Sequence, residues 1–432
     1  GQSMRAFPLV VLLLLLLSFH LILLCSFRKK GLLSQSLVLG GKRRTAFKKG
    51  LLSHSNGFEF LNLMGDALEF QNKAEAVSKA EKLAWDAIHE PTDQTIQWRL
   101  AYSLTAVAGA RIFLDSNRIN HSSIQEHRMV LRRLDVALMI GHPMMYPKIH
   151  RLIAEIQKSL PEIDFPLIST HSFENQNSMS SPCARKVPVE KEPPSQSQFN
   201  KHIFNKQPVV IQRAMQDWPA LEPGNVQNWS GFQRILKVAG HRTIPVEVGR
   251  HYMCTNWTLK LMSLQEYFLR HVLKGSTTNV AAKQAVTGYV AQHELFKQVP
   301  ELCSDIRMPE YCTVESRNTN EEEVQVNIWL GPSGTITPLH YDRYHNFLCQ
   351  VLGEKKITMF APNSSSHLHP CEPPLNNTSQ VDPYSPRSHS DVFKQPHWEV
   401  TLRPGEMLYI PPGWWHHVQS KSASASVNFW WL

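Results

Sequence analysis

Between residues 208 and 431 the chain repeats one theme, a short apolar stretch closed by a turn, and that theme excludes most folds. The stretches at 208–211, 243–248, 288–291 and 324–330 are too short for helices and rich in β-branched or aromatic residues. Segments 346–352 and 355–360 read as a hairpin around Gly353-Glu354, segments 405–411 and 414–419 as a second, and 425–431 closes the chain. Many short strands divided by turns predict a β-sandwich or barrel. Trp218, Trp229, Phe232 and Ile235 predict helical decoration between the first strands, and 262–273 predicts an amphipathic helix.

The N-terminal half has a different period. Phe60, Met64, Ala67 and Leu68, then Val77, Ala80, Leu83, Ala84 and Ala87, recur at helical spacing. Further helices follow through Trp98, Leu100, Leu104 and Val107, through Leu131, Leu134, Val136, Ala137 and Met139, and through Ile149, Leu152, Ile153 and Ile156. Gly141-His142-Pro143 is a helix stop. Residues 51–160 thus predict a small all-α domain, the Ser-, Pro- and Lys-rich stretch 161–195 a flexible linker, and 196–432 a β-rich domain.

Residues 1–50 hold nine of the 45 Lys and Arg and no Asp or Glu, which leaves 36 basic and 36 acidic residues in the remainder. The net charge of +9 therefore belongs to one end, and the neutral body predicts no direct nucleic-acid binding. The 21 residues 7–27 are apolar except for Pro8, Ser18, His20 and Ser26, long enough to span a bilayer. Three readings stay open: a membrane anchor with its basic flank and body in the cytosol, a secretory signal, or a gene-model artefact. Seven widely spaced cysteines without a C-x-x-C predict reduced thiols rather than a disulfide framework.

The chemistry gathers at Thr335-Ile336-Thr337-Pro338-Leu339-His340-Tyr341-Asp342 and its distant answer, Trp414-Trp415-His416. His340 and Asp342 are two apart, so on an extended strand they share one side. A second imidazole would complete a two-His-one-carboxylate face, which holds iron(II) and leaves positions open for a co-substrate and oxygen. His416 and His417 point opposite ways on a strand, and we take His416 as the ligand. Lys355 falls in phase with Ile357 and Met359. Inside a barrel its ammonium would need an anion, such as a dicarboxylate; the alternative is a strand-end lysine snorkelling to water.

These motifs resemble the JmjC (jumonji-C) oxygenases, and among them the jumonji-domain-containing protein five or lysine demethylase 8-like group. The likeness runs through Val246-Glu247-Val248-Gly249, Tyr289-Val290-Ala291-Gln292-His293, Gly331-Pro332-Ser333-Gly334-Thr335, Asn377-Thr378-Ser379-Gln380-Val381-Asp382 and Phe429-Trp430-Trp431. It covers about 196–432 and implies an α+β chain whose JmjC domain is a cupin-type double-stranded β-helix, a jelly roll. It implies Fe(II) on His340, Asp342 and His416, with 2-oxoglutarate and O2 as co-substrates. Tyr289, Thr337, Asn346 and Lys355 would contact 2-oxoglutarate, with Trp329 and Gln292 lining its pocket. Glu247 and Trp257 match positions that flank a substrate guanidinium; the alternative is a core Trp257 and a Glu247 paired with Arg250 or Arg242.

The resemblance further implies peptidyl-arginine hydroxylation or histone lysine demethylation, on a histone, ribosomal or chromatin-associated protein, in the nucleus or cytoplasm. Arg343 departs from the family's usual proline and His417 from its usual tyrosine, which predicts an altered pocket mouth and an outer-face histidine. A catalytically silent JmjC scaffold or interaction protein, and a zinc or manganese cupin hydrolase or isomerase, are the competing readings.

Overall fold

The computed structural model describes residues 47–48, 50–51, 56–69, 73–89, 95–116, 123–170, 183–273, 287–313, 324–382 and 392–432. The apolar run 7–27 lies outside them, and among them no helix is long and apolar enough to cross a membrane. After Pro161 the chain divides into two compact units.

The first unit is helical: α1 (Gly57–Glu69), α2 (Lys73–Ile88), α3 (Thr95–Asp115), α4 (Ile124–Ile140) and α5 (Tyr146–Gln157). Val77, Ala80, Ala84 and Ala87 form the buried stripe of α2, at the spacing read from the sequence. A capping box starts α4: the Glu126 N–H donates to the Ser123 hydroxyl at 3.2 Å, and the Ser123 N–H donates to the Glu126 carboxylate at 2.7 Å. That helix ends at Gly141, two residues before Pro143.

The second unit holds two sheets. One runs β1 (Ala184–Lys186), β11 (His397–Leu402), β10 (Lys355–Phe360), β13 (Trp415–Ser420), β8 (Ile336–His340). The other runs β2 (Val189–Glu190), β3 (Val209–Ile211), β12 (Met407–Ile410), β9 (His345–Leu352), β14 (Ser424–Trp431), β7 (Gln325–Gly331), β6 (Gly288–His293), β4 (Thr243–Val248), β5 (Thr258–Ser263). From β7 to β14 each strand is followed by one in the opposite sheet, except that β10 and β11 pair antiparallel. This winding is the double-stranded β-helix, and the chain folds as the α+β jelly roll expected.

The winding corrects both expected hairpins. Segments β9 and β10 lie in different sheets, as do β12 and β13, so the turns between them are arches that cross the roll. Gly353 makes the first crossing at φ 68°, where a Cβ would also run into the Ala423 carbonyl. Residues of β9 alternate accordingly. Phe347, Cys349 and Val351 pack with Trp218, Trp229 and Phe268 outside the large sheet, whereas Leu348 meets Ile357, Met359, Ile410 and Val418 between the sheets. With both faces covered, all eight residues of β9 are buried, which is why no polar alternation shows in its sequence.

Three further expectations change. Met262 belongs to strand β5, and the helix begins at Leu264, where the Ser263 hydroxyl accepts the Glu266 N–H at 3.2 Å. The linker assignment fails where the segment is described: Phe165 and Ile168 are buried in the main core, β1 pairs with β11 and β2 with β3. Few apolar residues suffice to tie it down, because backbone pairing does not need them. Strand β11 was not foreseen, although Trp398, Val400 and Leu402 alternate with polar residues along His397–Leu402 as they do in a half-buried strand.

Candidate metal centre and adjoining cavities

Strands β8 and β13 pair antiparallel with His340 opposite His416, so two side chains 76 residues apart face one another across the sheet. Asp342 lies just beyond β8. Its carbonyl accepts the Gly413 N–H at 2.8 Å, tying it to the corner that leads into β13. Asn377 clamps the intervening peptide: its carbonyl accepts the Tyr341 N–H at 2.9 Å and its amide donates to the Tyr341 carbonyl at 3.1 Å. The donor atoms of His340, Asp342 and His416 all lie within 4.8 Å of one another, the one such cluster of three among the described residues.

The protonation pattern suits a cation. Nδ1 of His340 meets the Pro338 carbonyl at 2.8 Å and Nδ1 of His416 meets the Trp414 carbonyl at 3.0 Å. A carbonyl only accepts, so both Nδ1 atoms carry the hydrogen and both Nε2 lone pairs are left for a metal. Those Nε2 atoms stand 3.9 and 3.6 Å from the same Asp342 oxygen, Oδ2. Oδ2 is buried and accepts no hydrogen bond. A buried carboxylate oxygen without a donor is costly, and a divalent ion between it and two neutral imidazoles removes that cost. Burial, reinforced by the neighbouring His340, pulls the pKa of His416 down to about 4 against the opposing pull of Asp342, so the ring is neutral at physiological pH. The residues fit iron(II).

Two cavities meet at this cluster, sharing Tyr289, Trp329, Thr337, His340 and Asp342. The inner one, about 370 Å³ with its mouth, also receives Asn346, Lys355, His416, Asn428 and Trp430, all from inward-facing strand positions. Lys355 is 1% exposed. Its ammonium lies 3.3 Å from the Tyr289 hydroxyl and 5.7 and 5.9 Å from the Tyr289 and Trp329 ring centres. No carboxylate of the described residues pairs with it, and burial drags its pKa from 10.5 to about 7. The snorkelling alternative is thereby excluded. Burial also raises the Tyr289 pKa, opposed by a hydrogen bond with Thr337, so the phenol remains a donor. Gly331 makes room for it, since a Cβ there would stand 2.8 Å from the Tyr289 ring.

The outer cavity, about 710 Å³ with its mouth, is lined by Glu247, Tyr252, Gln292, Leu375, Asn377 and Thr378 beside the shared residues. Gln292 therefore sits here, exposed and at φ 47°, and not in the Lys355 pocket where it was expected. The kink that turns it outward is the break in register between β6 and β7 after Val290. Trp257 is half-buried and outside the cavity lining, and its indole N–H donates to Glu247 at 3.1 Å. Neither suggested arginine pairs with Glu247: Arg250 binds Asp382 at 2.6 Å and Arg242 donates to the Gln298 carbonyl at 2.8 Å. Burial raises the Glu247 pKa, partly offset by the Trp257 bond.

His417 is 1% exposed, not an outer-face residue; it faces away from His416 but under the region that also covers Trp415. Arg343 is exposed, with its guanidinium 4.8 Å from the Tyr344 ring centre and donating to its hydroxyl at 2.6 Å. Reading the sequence missed Asn428, which accepts the Trp329 indole N–H at 2.8 Å and donates to Asn346 at 3.3 Å. Its signal was the alternation Ser424, Ser426, Asn428 within an otherwise apolar strand.

Residues 194–432 match the family of cupin-like domains. Jumonji C domain-containing protein 5 of Drosophila melanogaster is 39% identical over 242 residues, 55% of this chain and 58% of the relative. Lysine-specific demethylase 8 of Xenopus tropicalis is 39% identical over 242 residues, 55% of this chain and 51% of the relative. Lysine-specific demethylase JMJ30 of Arabidopsis thaliana is 32% identical over 394 residues, 84% of this chain and 86% of the relative. The chain thus spans little more than half the length of the first two and most of the third. It belongs to the cupin-like JmjC family, in the group of jumonji C domain-containing protein 5 and lysine-specific demethylase 8.

Proposed function

We propose that this protein is an Fe(II)- and 2-oxoglutarate-dependent dioxygenase that hydroxylates an arginine side chain of a protein substrate. The observation that carries the reading is the unpaired, buried ammonium of Lys355 in the cavity that also holds the orphaned Asp342 oxygen. Charge balance supports it: Asp342 and Lys355 cancel, so a divalent ion leaves two positive charges, which the 2-oxoglutarate dianion neutralises. When bound, the ion supplies the oxidation, with O2 consumed and succinate and carbon dioxide formed.

The chain's own residues do the rest. Lys355, with Tyr289, receives the far carboxylate, and burial makes that pairing strong and selective. Thr337 holds Tyr289, while Asn428 aligns Trp329 and Asn346 along the wall. The outer cavity admits the substrate side chain. Glu247, oriented by the Trp257 N–H and flanked by Tyr252, offers a carboxylate and an aromatic face to a cation. Two charge-assisted contacts from one planar group favour a guanidinium.

Methyl-lysine is the second reading, favoured by relatives named as lysine-specific demethylases. Histones or ribosomal proteins are the substrate class proposed, and the free cysteines fit a nuclear or cytoplasmic setting. Mass spectrometry of arginine-bearing and methyl-lysine-bearing peptides after turnover decides between them. One added oxygen on arginine supports the first reading; loss of a methyl group from lysine supports the second; succinate without any peptide change refutes both.

A further inference from the structure

Between β4 and β5 the chain runs from Gly249 to Trp257 beside the outer cavity, and Tyr252 of this loop lines it. The backbone bonds that shape the loop are its own: the Cys254 N–H donates to the His251 carbonyl at 3.0 Å and the Trp257 N–H to the Cys254 carbonyl at 3.1 Å. Among the described residues, two side-chain bonds carry 250–256 to the rest of the chain, and both end on one segment. Arg250 donates to Asp382 at 2.6 Å, and the Tyr252 and Thr378 hydroxyls lie 3.3 Å apart. That segment shares the frame of the metal ligands. It runs along β8, the last strand of its sheet, on both sides of His340. The Ser379 N–H donates to the Leu339 carbonyl at 2.8 Å, the Asn377 carbonyl accepts the Tyr341 N–H at 2.9 Å, and Thr378 bridges to His340 itself. Backbone pairing on either side of a ligand fixes the segment relative to it.

Stability does not explain the Arg250–Asp382 pair. Arg250 is 53% exposed and Asp382 20%, and an ion pair so open to water adds little to the global fold. It can nonetheless fix where a loop rests, because the loop has few other ties. We infer that Arg250 and Asp382 are positioning residues for the substrate. Their ion pair, with the Tyr252–Thr378 bond, holds the loop in register with His340 and so sets how far the target side chain reaches towards the metal ligands. The inference rests on the outer cavity admitting the substrate, as proposed above. None of the four clasp residues lines the inner cavity, so 2-oxoglutarate is held independently of them. A misplacement of about 1 Å takes the target carbon out of line, and succinate then forms without peptide oxidation.

Two measurements on the full chain test this, using Arg250→Met, the conservative Arg250→Lys, Asp382→Asn and the double variant Arg250→Met/Asp382→Asn. The charge of Asp382 also acts on His251 and His417, so Arg250 carries the decisive comparison. The first measurement needs no substrate. Hydrogen–deuterium exchange across 250–256 should be severalfold faster in Arg250→Met and near wild type in Arg250→Lys, with β4 and the melting temperature unchanged. The double variant should exchange no faster than the faster single variant. The second measurement follows succinate and oxidised peptide in one reaction. Arg250→Met should raise the peptide KM, and the succinate formed per oxidised peptide, about threefold or more, and leave the KM for 2-oxoglutarate alone. Wild-type exchange in Arg250→Met, unchanged peptide kinetics beside a wild type that oxidises peptide, or single-variant effects that add in full, each overturns the inference. Faster exchange in a protein whose wild type oxidises neither peptide supports the clasp and refutes the substrate reading of the cavity, so the two failures are distinct.

Discussion

Lys355→Met tests the co-substrate site through stability before any turnover is measured. The side chain is 1% exposed, and its pKa falls from 10.5 unfolded to about 7 folded. At about 1.4 kcal/mol per pH unit, the buried charge costs about 5 kcal/mol below pH 7. Attraction to the Tyr289 and Trp329 rings returns about 1–2 kcal/mol of it. The folded pKa is the lower one, so the unfolded chain binds more protons between pH 7 and 10.5, and stability climbs with pH across that window. Methionine keeps the volume and removes the charge. Without co-substrate at pH 7, Lys355→Met should therefore be more stable by about 3–4 kcal/mol, roughly a 6–16 °C rise in Tm for a unit of this size. The gap should close as pH approaches 10. Saturating 2-oxoglutarate should raise the wild-type Tm and leave the variant's unchanged, because losing one partner of a buried ion pair costs about 3–5 kcal/mol of binding. Scanning fluorimetry from pH 6.5 to 10, with and without 2-oxoglutarate, reads all of this. A variant less stable than the wild type at pH 7, or stabilised equally by 2-oxoglutarate, refutes the reasoning.

Asp305 is fully buried and accepts from the Trp229 indole at 3.0 Å, from Arg234 at 3.1 and 3.2 Å and from Gln227 at 2.8 Å. Asp305→Ala strands those donors and should lower stability by about 3–5 kcal/mol in chemical denaturation. Trp257→Phe removes the N–H that orients Glu247. It should raise the KM for the peptide severalfold with little change in the KM for 2-oxoglutarate, whereas a shared rise in both would place Trp257 elsewhere in the mechanism.

How much of this was legible depends on what each residue answers to. The cluster of His340, Asp342 and His416 was readable because a metal demands particular donors, and H-x-D with a distant histidine after Trp-Trp is a narrow pattern. Lys355 was readable because a cation in phase with Ile357 and Met359 violates the pattern around it. The arches were not. A turn such as Gly353-Glu354 serves a hairpin or a crossing equally well, and only the packing of both faces of β9 and β10 chooses between them. Gln292 was misplaced for a similar reason, since the irregular register that aims it outward arises between strands, not within one. Residues 161–195 read as linker because parallel pairing with β11 and β3 uses backbone groups that leave no mark on composition.

The central claim is that His340, Asp342 and His416 hold a single ferrous ion. Anaerobic equilibrium dialysis against Fe(II), with each protein checked for its native circular dichroism spectrum, measures it directly. The account predicts one tightly bound ion per wild-type chain and none in folded His340→Ala, Asp342→Ala or His416→Ala at the same free iron; undiminished binding in those variants would contradict it.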